Sequence, residues 1–214
     1  MVNSEEGYQN LRRFLFGDLR AKTLLTNFVL DFSANHNSKI PDVTYFLETQ
    51  AAIRSLPVLM HERTLHHYCA EAIDEQTFNE RYRGPDSLLP LFTTFLFMNT
   101  REDGTIRFMR KIGLFVQRYE KGFIIFQDHL EQLPLWSDYL IIQLRQPRGE
   151  SDSSSVLIAD YCWASERLEP NTPLRPDPRP DEGTASYTIP LPGTKFQDHL
   201  GPEASVRIEV SIWQ

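Results

Sequence analysis

The spacing of apolar residues changes near Pro85, and this change divides the chain into two parts. Before Pro85, apolar residues recur at intervals of three and four, as on one face of an α-helix. Leu24, Phe28 and Phe32 form one such row. We therefore predict helices throughout residues 1–84, bounded by capping residues and prolines. The predicted helices begin near Ser4, Asp18, Pro41, Pro57 and Asp74.

After Pro85, apolar and polar residues alternate, which is typical of β-strands. The stretch 95–108 is predicted to form a hairpin, because Asp103-Gly104 tolerates the positive φ angles of a tight turn. In residues 205–213 the apolar side chains occupy every second position, which predicts an antiparallel strand with one solvated face. The other predicted strands cover 139–145, 156–163 and 186–191, with a further turn at Gly122.

These patterns predict an α+β fold. Residues 1–84 form an N-terminal helical segment that packs on a C-terminal antiparallel β-sheet of about seven strands in residues 85–214. The sheet is expected to be a curved sheet, a barrel or a sandwich, and 214 residues suffice for both parts to form one continuous structural unit. The proline-rich loop Glu169 to Gly183 is interpreted as a surface insertion, with a partner-docking segment or a lid as the alternative.

Composition favours a globular protein, with 41% hydrophobic and 24% charged residues. The net charge is −7, and residues 149–214 carry five basic against eleven acidic residues. An acidic chain is a poor nucleic-acid binder, because phosphate contacts need a concentrated cationic surface. The exception is the basic and aromatic stretch 107–119, which allows local RNA contact through Arg107, Lys111 and Arg118.

The start of the chain lacks a basic region followed by an apolar run, and the longest apolar stretch, 88–98, is too short to span a bilayer. Cys69 and Cys162 lie far apart in apolar contexts, as buried thiols do in a reducing compartment. We therefore expect no membrane association and a cytoplasmic or otherwise intracellular location.

Residues 61–69 concentrate three histidines, a glutamate and a cysteine. A zinc-binding helix needs histidines four residues apart, but the fourth residue after His61 is Leu65, so the motif fails. Glu62 and His66 would share a helical face and are the remaining candidate ligands. No second cluster completes such a site, and we predict a solvated helical face without a metal.

The pentapeptide FQDHL occurs twice and places an aspartate beside a histidine each time. Asp128, His129, Asp198 and His199 are therefore candidate catalytic residues, because histidine with nearby carboxylates suits general acid–base chemistry. Helix capping and turn formation by the aspartates is the alternative, and it is preferred.

Two charged residues fall on apolar faces of predicted strands. Arg110 is in register with Phe108 and Ile112, and Asp160 is in register with Ile158 and Cys162. Either a bulge near Gly113 turns Arg110 away from that face, or the arginine is buried and needs a carboxylate partner. We therefore expect the two residues to meet inside the β domain, where they would be candidate ligand-binding residues.

No nucleophile elbow, C-x-x-C pair or phosphate-binding glycine loop is present in the sequence. The prediction is a non-catalytic protein–protein interaction or assembly module, with a protein partner or self-association and no cofactor. The alternative is a small-molecule-binding pocket protein, or a cofactor-free hydrolase, dehydratase or isomerase that uses the histidine–aspartate groups.

Overall fold

The computed structural model shows a protein built mainly from β-strands. It describes residues 19–36, 43–53, 59–67, 69–84, 87–96, 105–120, 129–145, 158–177, 184–193 and 196–212. The strands are β1 (Leu19–Thr26), β2 (Val43–Ile53), β3 (Leu59–Arg63), β4 (Glu71–Ile73), β5 (Leu88–Leu96), β6 (Thr105–Glu120), β7 (His129–Arg145), β8 (Ile158–Trp163), β9 (Thr172–Leu174), β10 (Thr184–Pro190) and β11 (Ser205–Ile212). The helical elements are α1 (Glu75–Thr77), which continues as a π-helical turn (Phe78–Tyr82), α2 (Gln197–Leu200), and 3-10 turns at Ser33–His36 and Leu65–His67.

The strands form two antiparallel sheets. The smaller sheet has the order β10-β11-β1-β5, and the larger has the order β3-β2-β6-β7-β8-β9, with β4 also paired to β2. The chain crosses between the sheets after β1, β4, β5 and β9. Strands β5 and β10 are therefore the two edges of the smaller sheet.

The inner faces of the two sheets share one apolar core, so the fold is a β-sandwich. Leu25 and Val206 contribute from the smaller sheet, and Leu47, Leu114 and Leu140 contribute from the larger one; each is at most 1% exposed. Burial of one such side chain contributes about 1.5–3 kcal/mol. Because strands from both sheets supply these residues, neither sheet can bury its apolar face without the other.

Aromatic side chains fill one end of the sandwich. The rings of Trp136 and Trp163 meet edge to face with their centroids 6.0 Å apart, and Phe196 lies 5.9 Å from Trp136. The indole N–H of Trp163 donates to the carbonyl oxygen of Pro190 at 2.9 Å. This bond ties β8 in the larger sheet to the end of β10 in the smaller one.

The predicted N-terminal helical segment is wrong. Within the described part of residues 1–84, the chain forms β1 to β4, and only the short α1 begins where a helix was predicted, with Asp74 as its N-cap. The helix predicted from Ser4 lies outside the described residues. Strands from before and after Pro85 share both sheets, since β1 pairs with β5 and β11, and β2 pairs with β6.

The cause of this error is visible in the row Leu24, Phe28 and Phe32. Residues four apart lie on nearly the same face of a helix and also on the same face of a strand, so this spacing does not distinguish the two structures. In the protein, Leu24 belongs to β1, and the chain bends after that strand at Asn27, whose φ is +54°.

The predicted hairpin over 95–108 is also wrong, because β5 and β6 lie in different sheets. Its turn at Asp103-Gly104 and the turn at Gly122 lie outside the described residues. The strands predicted at 139–145, 156–163, 186–191 and 205–213 are present as parts of β7, β8, β10 and β11. In the described residues, no helix has the length and apolar character needed to cross a membrane.

Candidate functional site

A cleft of about 200 Å³ lies between the segment after β1, the strands β2, β6 and β7, and helix α2. This volume is below the roughly 300–1,000 Å³ of typical small-molecule sites. The cleft combines an apolar wall with two carboxylates and an imidazole. Its lining residues are Asp31, Val43, Tyr45, Val116, Leu135, Asp198 and His199.

Two polar side chains of this cleft form hydrogen bonds that stabilise the segment after β1. The hydroxyl of Tyr45 donates to the carbonyl oxygen of Asp31 at 2.7 Å, and the carboxylate of Asp31 accepts the backbone N–H of Ser33 at 2.9 Å. This N–H bond lowers the pKa of Asp31. Asp31 therefore stays ionised and holds the turn after β1, which leaves little capacity for proton transfer.

The two FQDHL copies lie in different settings. Asp198 and His199 belong to helix α2, where Asp198 is exposed and His199 is half-buried. Asp128 lies outside the described residues, and His129 is the first residue of β7, opposite Glu120 at the end of the β6–β7 pair. Convergence of the two copies on one site therefore stays a prediction, as does any catalytic role for the four residues.

The histidine-rich stretch is not helical. Glu62 lies in β3, and His66 lies in the following 3-10 turn, so the helical spacing that made them neighbours does not apply. Glu62 accepts a hydrogen bond from the side-chain amide of Gln50 at 3.0 Å. In the described residues, no group of three or more histidine, cysteine, aspartate or glutamate side chains is arranged to hold a metal ion.

Arg110 is buried in the centre of the sandwich with 1% of its surface exposed. Its guanidinium donates to the hydroxyl of Thr23 in β1 and, at 3.1 Å, to the hydroxyl of Thr94 in β5. The rings of Phe92 and Phe108 both lie close to the guanidinium, with centroids 4.7 and 4.6 Å from Cζ. Cation–π contacts of this kind offset part of the desolvation cost.

The predicted pair of Arg110 and Asp160 does not form. Arg110 lies opposite Leu140 on the inner face of the larger sheet, whereas Asp160 lies opposite Gln143 on the outer face. Asp160 is buried as expected, but its partner is Arg145. Burial without a carboxylate lowers the pKa of Arg110 to about 9.

The cations proposed for RNA contact face carboxylates. Arg107 bonds to Glu169 at 2.9 Å and to the side-chain oxygen of Gln143, and Lys111 lies 4.0 Å from Glu48. The side chain of Arg118 lies outside the described residues. RNA contact stays a prediction, but this surface is not a concentrated cationic patch.

The β10 edge of the smaller sheet is capped by the proline-rich segment. The backbone N–H of Asp177 donates to the carbonyl oxygen of Ser186 at 2.8 Å, and its carboxylate accepts the hydroxyls of Ser186 at 2.9 Å and Thr188 at 3.1 Å. Strand β9 in the same segment pairs with β8. The described part of the proline-rich loop, residues 169–177, therefore bonds to both sheets, and its side chains are exposed or half-buried, so the surface insertion stays a prediction.

The opposite edge, β5, has a different environment. Among the residues that the structure describes, β5 is hydrogen-bonded to β1 alone. Its nine residues, LLPLFTTFL, carry no charge, and Leu88, Pro90 and Thr93 are exposed. Edge strands are usually protected by charges, by proline or by a covering segment. Within the described residues, the one such protection of β5 is Pro90, near a bulge, so the part from Leu91 to Leu96 is suited to accept another strand.

Sequence reasoning missed both edges. The uncharged run 88–98 is evident in the sequence, but its length was considered only against that of a membrane span, and an edge strand cannot be recognised without the sheet order.

Comparison with family models, with curated proteins and with solved structures finds no match for the chain.

Proposed function

We propose that the chain is a non-catalytic protein–protein interaction module that binds its partner by strand addition to the β5 edge. The observation that supports the proposal is the uncharged strand β5, which pairs with β1 on one side only within the described residues. In strand addition, backbone hydrogen bonds provide affinity and alternate side chains provide selectivity.

The described cleft and the buried arginine both support binding at a surface over binding in a pocket. The cleft beside Tyr45 is smaller than a typical ligand site, and its Asp31 carboxylate is engaged by Ser33. The other notable polar group, Arg110, is buried inside the sandwich and contacts two aromatic rings. The cleft does contain the imidazole of His199, but the space beside it is smaller than a typical substrate site, and Arg110 is buried away from any open space.

The outer face next to the β5 edge defines what a partner strand meets. Thr93 is exposed and lies opposite Lys22 of β1, and Phe95 is half-buried opposite Arg20. A partner strand with a β-branched or aromatic residue beside Phe95 gains a favourable cross-strand contact of about 0.2–1 kcal/mol. We therefore expect uncharged, β-branched or aromatic strands to bind.

The test is titration of a fluorescent peptide of alternating threonine and valine, with one lysine at each end for solubility. We expect saturable binding by fluorescence anisotropy, and slower hydrogen exchange of the β5 amides when the peptide is bound. Thr93→Glu should weaken binding because a carboxylate at the edge opposes strand addition, while its pairing with Lys22 keeps the fold.

The matched control is Thr93→Val, which keeps the shape of the side chain and adds no charge. We expect this variant to bind the peptide as the wild type does. The proposal is wrong if no peptide binds to the monomeric chain, or if the amides between Leu91 and Leu96 that do not bond to β1 are already protected in the isolated monomer.

A further inference from the structure

We infer that the strand accepted by β5 is β5 of a second copy, so that two chains form a two-fold dimer with one continuous eight-stranded sheet. The inference rests on the proposed function and names its partner. Antiparallel pairing of two identical edges is the isologous arrangement that a two-fold axis generates. The resulting sheet order would be β10-β11-β1-β5 followed by the same strands in reverse.

The absence of charge on β5 favours a second copy as the partner. A strand with charges of one sign would repel its own copy, and a strand with mixed charges would select a partner of matching pattern. Residues Leu88 to Leu96 carry neither. β5 itself is an uncharged strand of matching length, and it is present at the same concentration as its acceptor.

The spacing of side chains along β5 favours a register with the two-fold axis at Thr94. In that register Thr93 of each copy lies opposite Phe95 of the other copy, which gives two equivalent pairs. Both residues project to the outer face. Pairs of an aromatic and a β-branched residue are among the favourable cross-strand pairs. On the inner face, Thr94 is held by Arg110 and stays in place when the edge pairs.

The charge of the whole chain gives this interface a distinctive salt dependence. Each copy carries a net charge of −7, so two copies repel at long range. The interface itself is built from backbone hydrogen bonds and uncharged side chains, which salt does not screen. Dimerisation should therefore strengthen with added salt, whereas an interface held by ion pairs would weaken.

Analytical ultracentrifugation of the full chain tests the inference. The wild type should show a concentration-dependent monomer–dimer equilibrium, and Thr93→Glu should raise the dissociation constant about tenfold or more. Thr93→Val should leave it within about twofold. Gln132→Glu adds the same charge at an exposed position of β7 and should also leave the dimer intact.

Cross-linking locates the interface. With the exposed Cys69 replaced by serine, a Thr93→Cys variant places the two introduced thiols diagonally across the axis, about 7–8 Å apart. A short bismaleimide should then yield a covalent dimer. The Gln132→Cys variant in the same background should not cross-link.

The outcomes separate this inference from the proposed function. A chain that remains monomeric at all concentrations, yet binds the threonine–valine peptide, overturns the inference and retains the proposed function. A chain that neither dimerises nor binds the peptide overturns both. A dimer that persists in Thr93→Glu and does not cross-link through Cys at position 93 uses another surface, and this result also overturns the inference.

Discussion

The two edges of the smaller sheet differ in what lies beside them more than in their own composition. Neither β5 nor β10 contains a charged residue. The β10 edge is covered by Asp177, which bonds to Ser186 and Thr188, and Ser186 is buried in consequence. On β5, Thr93 is exposed. An uncharged edge is thus compatible with a stable monomer only where the chain covers it, and an edge without a cover is suited to binding.

The two edges also differ on their inner faces. Strand β10 packs through Tyr187 and Ile189, both at most 1% exposed and surrounded by apolar side chains. Strand β5 rests partly on the guanidinium of Arg110, which bonds to Thr94. Strand β5 also packs through buried apolar side chains such as Leu89 and Leu96, so what distinguishes its inner face is an added polar anchor, the bond between Thr94 and Arg110.

The largest expected effect comes from replacing that polar anchor. Arg110→Met should increase the free energy of unfolding by about 1–4 kcal/mol, because a buried charge without a carboxylate costs more than an apolar chain of similar length. Urea unfolding followed by circular dichroism measures the change. Arg110→Lys keeps the charge and is the control, and it should show no gain in stability.

The stability difference between the wild type and Arg110→Met should also depend on pH. Burial lowers the pKa of Arg110 from its ordinary value to about 9, so above pH 9 the folded wild type holds fewer protons than its unfolded chain. The destabilisation of the folded wild type by the buried charge is fully present below pH 9 and decreases as the pH rises above 9. The stability advantage of Arg110→Met should be constant from pH 7 to 9 and smaller at pH 10. A constant advantage over the whole range would show that Arg110 remains charged.

A further prediction concerns Asp177, which covers the β10 edge. Asp177→Ala removes the two hydroxyl bonds to the carboxylate at β10 and should lower the free energy of unfolding by about 2 kcal/mol. It should also create a second binding edge, with larger assemblies seen by light scattering. Asp198→Ala removes an exposed carboxylate of α2 and should change neither property. Unchanged stability of Asp177→Ala would show that the proline-rich segment does not protect β10.

The smallest expected effect comes from Asp74→Ala, a variant that should lower stability without uncovering a sheet edge. Asp74 follows β4 of the larger sheet and caps helix α1 by accepting the backbone N–H of Thr77 at 2.7 Å. Asp74→Ala should lower the free energy of unfolding by about 1 kcal/mol and leave the dissociation constant of the dimer unchanged. Asp74→Asn, which keeps an accepting oxygen, should lose less. Altered association in Asp74→Ala would mean that instability alone promotes assembly.

The C-terminal strand was predictable, and the N-terminal strands were not. Val206, Ile208 and Val210 alternate with polar residues, and only a strand places them on one face; they are buried as predicted, while Ile212 at the strand end is exposed. In β2, Leu47 and Ala51 are four residues apart, which suits both structures. Pairing of β2 with β6 in the sandwich decides between them, and the sequence alone does not reveal that pairing.

The burial of charged side chains was easier to predict from the sequence than the residues with which they pair. Arg110 and Asp160 both lie on apolar registers, and both are buried. Their pairing required knowledge of the sheet face, and the register of β7 with its neighbours places them on opposite faces. The β5 edge was not predictable for a similar reason, since the order of strands in a sheet depends on contacts distant in the sequence.

The tryptophan pair at the end of the sandwich provides an internal optical probe. Trp163 is fully buried and meets Trp136 edge to face, so the separation of β7 from β8 changes the environment of both indoles. Fluorescence emission and near-ultraviolet dichroism therefore monitor the sandwich without an added dye. Because this probe lies on the larger sheet, pairing at the β5 edge should leave its signal unchanged while unfolding alters it.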